Sequence, residues 1–279
     1  MRKIAILTDS ASNIKENIDQ GIFVVPLYVN FQNESKKDLL EISPAEVFSR
    51  IDENPYTSAP SIDDFCDKIS FIKEKGYDKI LAIGVSKNLS GTFNTMRLAL
   101  EAGDMEYILI DSMSITMPEG LLVMYARSLI EEGKSFDDLQ SLVEGKIKDL
   151  KMFASVSDLK HLIRGGRLSK VEGLIGGSLR INPVLTIDNN GEIKNYKSVV
   201  GYKRTINFIA KETQKILEGA GSYYMALAYG EDPSDIDDVK DKLSGLIDGA
   251  ALYLEGPVTA VLGCHSGPSV NAVCFLKID

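Results

Sequence analysis

Residues 78–95, DKILAIGVSKNLSGTFNT, constrain the fold more than any other stretch. Ile80, Leu81, Ile83 and Val85 form an apolar run too short for a buried helix and bounded by turn residues, the pattern of an interior strand of a parallel sheet. Ser86, Asn88, Ser90, Gly91 and Thr92 follow, and then Phe93, Met96, Arg97 and Leu100 fall at helical spacing. A strand that ends in small polar residues and opens a helix gathers free backbone N–H groups and hydroxyls at one point, which suits an anion. The same residues also suit an ordinary strand-to-helix loop with Ser90 as N-cap.

Around this stretch the pattern repeats. Residues 3–7 read as a first strand, ending in Thr8, Asp9 and Ser10 before a helix over residues 13–18. Residues 22–29 read as a second strand in which Pro26 marks a bend or an edge. Ser43, Pro44 and Glu46 form a capping box with proline at the first helical position, so a helix runs over residues 44–51. Pro55 and Pro60 bracket an irregular loop carrying Thr57 and Ser58, and Ser61 with Asp64 caps a helix that reaches Lys75 and stops at Gly76. Residues 107–110 form another strand ending in Asp111 and Ser112. Three strands that finish in polar residues share one crevice, since ligands of open α/β sheets gather at the carboxyl edge. Residues 118–130 are apolar around much of a helical circumference, which fits a helix buried on more than one side or a ligand wall. Ser135 caps a further helix to about Leu150.

The strand–helix alternation stops near Lys151, which divides the chain into domains 1–150 and 151–279. In the second, residues 152–156 form a strand and Ser157 caps a short helix that ends at Gly165 and Gly166. Residues 183–187 and 192–199 flank DNNG as an antiparallel hairpin with Gly191 left-handed. A helix with Tyr202, Ile206, Ile209, Thr213 and Ile216 inward follows. Residues 223–229, 250–254, 258–262 and 272–278 read as strands, with a helix starting at Asp232 and Pro233. The fold class is therefore α/β: an N-terminal parallel-sheet α/β/α domain and a C-terminal α+β domain with a mainly antiparallel sheet.

With 279 residues each domain can build its own core. A net charge of −9 argues against a nucleic-acid or anionic-membrane surface. No apolar run is long enough to span a bilayer, and the four-residue apolar run near the start is a strand, not a signal peptide. Three widely spaced cysteines, Cys66, Cys264 and Cys274, fit a reducing, cytoplasmic setting. The two histidines, His161 and His265, with scattered cysteines leave no metal-ligand pattern, so neither a metal nor a cofactor is expected. His265 sits in a turn-rich loop, GCHSGPS, between two strands, where it is either a surface residue or a ligand contact. There is no GxSxG elbow, no P-loop and no Rossmann fingerprint. Ser90 with His265 leaves an acyl hydrolase open. The run LKHLIRGGRLSK, with Lys160, Arg164, Arg167 and Lys170, leaves open a phosphotransferase, a docking surface for another protein, or a solvated helix face, and Arg204 either joins this cluster or faces water.

Taken together, TDS after the first strand, TSAPS at 57–61, SKNLSGT at 86–92, LIRGGRLS at 162–169, NPVL at 182–185 and HSGP at 265–268 resemble the DegV family of bacterial fatty-acid-binding proteins. The shared order of these motifs covers nearly the whole chain. The resemblance implies a lipid-binding protein with no turnover of its own, which buries one long-chain fatty acid. Its carboxylate would be held by Thr57, Ser58, Ser90, Thr92 and His265. It also implies a separate ATP-dependent fatty acid kinase that phosphorylates the presented acid for phospholipid metabolism, with Arg164, Arg167 and Arg204 facing that partner or the phosphate. Two positions depart from the family pattern: Ala59 replaces a polar residue and Ser269 a glycine.

Overall fold

A computed structural model of the chain describes residues 3–168 and 181–279. β1 (Ile4–Asp9) pairs in parallel with β2 (Ile22–Val25). The helix expected over residues 13–18 is absent. In its place one 3-10 turn, Ser10–Ser12, ends where Asn13 turns left-handed at φ 61°. The strand expected over 22–29 breaks at Pro26, which has no N–H to continue a ladder, and its remainder is β3 (Tyr28–Asn30) in another sheet. β3 pairs antiparallel with β4 (Ser35–Lys37) and, beyond α1 (Pro44–Ser49), with β5 (Tyr56–Ser58). Thr57 and Ser58 thus lie on a strand, not on an irregular loop, because Pro55 and Pro60 keep the chain extended where β3 offers it a partner.

α2 (Ile62–Glu74) opens on the expected Ser61–Asp64 capping box. β6 (Lys79–Gly84), α3 (Thr92–Ala102), β7 (Glu106–Asp111), α4 (Met117–Glu131) and α5 (Phe136–Lys146) follow. The four parallel strands stand in the order β2-β1-β6-β7. α3 starts one residue later than expected, with Gly91 rather than Ser90 at its cap.

Sheet membership changes at Leu150, the start of β8 (Leu150–Ser155). Then come α6 (Lys160–Arg164), β9 (Ile181–Ile187), β10 (Ile193–Val200), α7 (Tyr202–Leu217), β11 (Tyr223–Tyr229), α8 (Asp237–Asp248), β12 (Leu252–Pro257), α9 (Ala260–Ser266) and β13 (Asn271–Lys277). The second sheet runs β10-β9-β8-β13-β11-β12, antiparallel except for the β11–β12 pair. Gly191 takes its left-handed place in the β9–β10 turn at φ 74°. Ser157 caps nothing and instead bonds Ser269 through their hydroxyls. Tyr202, expected inward, is 38% exposed. Residues 258–262, read as a strand, enter α9, so His265 lies in the last turn of a helix and not on a loop. A short apolar run suits a strand or a buried helical segment equally, and Val261 and Leu262 are buried in the core that also holds Val29, Val47 and Phe48. Ser169 and Lys170, named in the basic run and its motif, lie outside the described residues.

Alternation along the strands sorts the core into layers. Ala5 and Leu7 of β1 pack with Phe65, Ile69 and Met96 of α2 and α3, while Ile6 faces α4 on the other side. In β13, Val273 and Phe275 pack with Ile206 and Ile209 of α7, whereas Ala272 and Cys274 face the α4 side. α4 therefore lies between the two sheets, which explains why Leu121, Leu122, Val123, Tyr125 and Ala126 are all buried.

Candidate functional site

The carboxyl edge of the four-stranded sheet carries the expected polar residues, and α9 and β5 close over it. Ala11, Val85, Leu89, Ser90 and Ile115 meet Thr57, Arg167, Leu262 and His265 around a small cavity, about 330 Å3 of atom-free space with its opening included. Strand alternation on β5 turns Thr57 inward, where its Oγ1 lies 2.8 Å from His265 Nε2. Ser58 is exposed, and its Oγ accepts from Asn30 Nδ2 at 3.1 Å. Ser90 Oγ and Thr92 Oγ1 are 2.9 Å apart, and Ser90 Oγ also accepts from the Thr92 N–H at 3.2 Å. Thr92 is fully buried at the first turn of α3, so Ser90 alone of this pair reaches the cavity wall.

Arg167 donates from Nε to the Leu89 carbonyl at 3.2 Å and from its guanidinium to the Gly165 carbonyl. It thereby ties the glycine pair after α6 to the loop that carries Ser90. Arg164 is exposed and bonds Asn54 Oδ1 and the Pro55 carbonyl, just before β5. Arg204 is exposed on the first turn of α7, a helix that covers the other face of the six-stranded sheet. The structure thus brings Thr57, Ser90, Arg167 and His265 together, places Thr92 behind Ser90, and leaves Ser58, Arg164 and Arg204 outside the cavity wall.

His265 is held neutral: burial, then the charges of Arg167 and Arg164, push its imidazole down to about 4. Its Nδ1 has no hydrogen-bond partner and faces Gly165, where a Cβ would stand 2.2 Å from that nitrogen. The place of a triad's orienting carboxylate is therefore taken by a glycine. His161 is buried on α6 and packs against Gly267, where a Cβ would stand 2.7 Å from its Cδ2. Each histidine thus fits against a glycine on the other's segment. Behind the cavity, the fully buried Asp9 accepts from the Val85 N–H at 3.0 Å and the Ala11 N–H at 2.9 Å, and burial pushes its carboxyl up to about 7. Glu119 of α4 is likewise held well above the usual carboxylate range, by burial and by Asp9, and accepts from Thr8 Oγ1 at 3.4 Å.

A second cavity, about 660 Å3 of atom-free space with its opening included, adjoins the first against the six-stranded sheet. It shares Ile115, Arg167, Leu262 and His265 with the first. Its remaining wall is mainly apolar, with Met152, Ala154, Leu185, Ile193, Val270 and Ala272 contributed by the six-stranded sheet and the loop before β13. Sequence reasoning did not single out these residues. The available signal was the alternation Met152, Ala154, Val156 along and just beyond β8, which marks one face but not what that face encloses. Among the described residues no group of histidine, cysteine and carboxylate side chains could hold a metal ion, and no helix is long and apolar enough to cross a membrane.

The chain matches the model of the DegV family, described as one of uncharacterised proteins, over residues 3–277. A DegV domain-containing protein of Clostridium acetobutylicum is 32% identical over 281 residues, covering 99% of this chain and all of that one. The structure of a fatty-acid-binding DegV family protein from Thermus thermophilus superposes with a TM-score of 0.91 at 27% identity, over 99% of each chain. DegV of Bacillus subtilis, a fatty acid binding protein, superposes at 0.88 with 25% identity over 99% of this chain and 100% of that one. With its architecture and nearly its whole length shared in this way, the chain belongs to the DegV family.

Proposed function

We propose that this protein binds one long-chain fatty acid, tail against the six-stranded sheet and carboxylate among Thr57, Ser90, His265 and Arg167. The observation that carries this reading is the junction of the two cavities, where a polar end and an apolar chamber share Arg167 and His265 as walls. A chain of roughly sixteen carbons gains on the order of 10 kcal/mol gross on leaving water, at about 0.8 kcal/mol per methylene. The apolar chamber supplies affinity on this reading. Burying a carboxylate costs several kcal/mol, and hydrogen bonds to a charged group, worth about 1.5–3 kcal/mol each, offset that cost.

A carboxylate accepts hydrogen bonds and donates none. For the Thr57 hydroxyl to donate to it, Thr57 Oγ1 must accept from His265 Nε2–H, the neutral tautomer whose bare Nδ1 lies against Gly165. The imidazole then orients a hydroxyl, while the guanidinium of Arg167 supplies the positive charge. Ser58, expected in the head-group set, has no part in this reading because its side chain leaves the cavity; Thr92 acts by holding Ser90.

The protein presents this carboxylate, in the cytoplasm, to a separate fatty acid kinase that makes the acyl phosphate. The lack of a nucleotide-binding motif in the chain supports a division of labour of this kind. Exposed Arg164, and Arg204 on its own face, remain as surface cations for such a partner. Native mass spectrometry of the purified protein tests the binding: one fatty acid per chain is expected, re-forming after lipid removal when a long-chain acid is added back. A stripped protein that never takes the acid up again overturns the reading.

A further inference from the structure

α9 is flanked in sequence by β12 and β13 of the six-stranded sheet, yet its beginning is held by side chains from the first half of the chain. The first N–H groups of a helix have no partner within it. Thr259, the N-cap residue, makes no side-chain capping bond. Instead the Thr259 N–H donates to Asn13 Oδ1 at 3.2 Å, and the Ala260 N–H donates to Asp38 Oδ1 at 3.0 Å. Asn13 also donates from Nδ2 to the Pro257 carbonyl at 2.8 Å, so it grips the approach to the helix from both sides. Asp38 is fully buried, and its Oδ1 also accepts from the Leu39 N–H at 3.1 Å. Asn13 and Leu39 both hold left-handed backbone, φ 61° and 64°, a conformation L residues adopt only under constraint.

The other end of the same helix carries His265, bonded to Thr57 on β5. Between the ends, Gly263 lies against Phe48 of α1, where a Cβ would stand 2.9 Å from its ring. At about 1.5 Å per residue, the five steps from Ala260 to His265 place the carboxylate end and the imidazole roughly 8 Å apart along the axis. Asp38 therefore cannot touch a ligand held by His265, but a short rigid helix transmits any shift at one end to the other. We infer that Asp38, seconded by Asn13, is a positioning residue that sets His265 opposite Thr57 by anchoring the start of α9. The effect on fatty-acid affinity rests on the function proposed above; the effect on the imidazole does not. Burial pushes the Asp38 carboxyl up to about 6 against the hydroxyls of Ser10 and Thr259 beside it, and the helix start is held by Oδ1 alone, so an amide of the same shape keeps the contact that matters. Thr259 Oγ1, buried beside the Asp38 carboxyl, can accept from that amide.

The experiment labels histidine nitrogen with 15N and compares wild type, Asp38→Ala, Asp38→Asn and Asn13→Ala. The chain has two histidines, so the ring signals of His265 can be assigned by a single substitution. Asp38→Ala is expected to move the His265 signals out of the Nε2–H tautomer pattern and to weaken fatty-acid binding about tenfold, the loss of one hydrogen bond to a charged group. Asp38→Asn is expected to restore both readouts. Asn13→Ala is expected to act in the same direction with smaller size, and it decides the question if Asp38→Ala fails to fold. A lower melting temperature with unchanged His265 signals in the alanine variants would mean that Asp38 only stabilises the fold, and would overturn the inference. If the wild type binds no fatty acid but the ring signals respond as described, the positioning stands and the proposed function falls.

Discussion

Where the cavity meets the four-stranded sheet its walls are tied by hydrogen bonds, and where it meets the six-stranded sheet they are set by side-chain shape alone. At the first end, Asp9 fixes the backbone of Val85 and Ala11, Arg167 fixes Leu89, and His265 fixes Thr57. At the second, Met152, Ala154, Leu185 and Ala272 face the space only because alternate residues of a strand share a face. The difference teaches which end a substitution can retune. Shape at the apolar end can be altered one side chain at a time, whereas a change at the polar end propagates through the bonds that brace it.

The largest effect on affinity is expected at the apolar end. Ala272 lies opposite Ala154 on neighbouring strands, and both line the chamber. Ala272→Met fills space that would otherwise hold roughly three methylenes, about 2.4 kcal/mol or on the order of 50-fold in affinity for a long acid. Titration of lipid-stripped protein should show that loss for a long acid and little change for an acid several carbons shorter. Equal losses for both would mean the two ends are not separable, and the comparison would break.

The second expectation concerns pH, to which only the polar end responds through His265. Its imidazole is pushed down to about 4 in the folded protein, against about 6.5 in an unfolded chain. Between these values the unfolded state binds more protons, so stability rises with pH; the contribution is present above about pH 6.5 and lost as pH falls through about 4. At about 1.4 kcal/mol per unit, the shift is worth on the order of 3 kcal/mol. Asp9 and Asp38, raised to about 7 and about 6, act with the opposite sign in an overlapping window. The effect is therefore read as a difference: chemical denaturation of wild type minus His265→Gln should gain on the order of 3 kcal/mol from pH 4 to 7. The same subtraction with Ala272→Met should be flat. A flat difference for His265→Gln would show that the imidazole titrates normally.

The polar end was the more legible in sequence because its signals are local. Strands that stop in hydroxyls at Thr8, Ser86 and Ser112 mark a carboxyl edge without any knowledge of the partner strands. What sequence could not show was which of Thr57 and Ser58 turns inward, since that depends on the pairing of β5 with β3. Nor could it show α9, whose run Val258 to Leu262 fits strand and buried helix alike until Asp38, 222 residues away, supplies the cap. The apolar chamber was illegible for a related reason: alternation shows that Ala154 and Ala272 face one side, but only the packing of α6, α9 and the loop before α4 over that side shows that it encloses space.

The most direct measurement sets hexadecanoic acid against its methyl ester, by titration of lipid-stripped wild type and Ser90→Ala. Acid and ester share the tail and differ in the charged head, so their ratio isolates the polar end from the apolar one. The wild type should prefer the acid by tenfold or more, about 1.5–3 kcal/mol, and Ser90→Ala should narrow that preference while leaving the ester's affinity unchanged. Equal affinity of the wild type for acid and ester would contradict a cavity that holds a tail at one end and selects a carboxylate at the other.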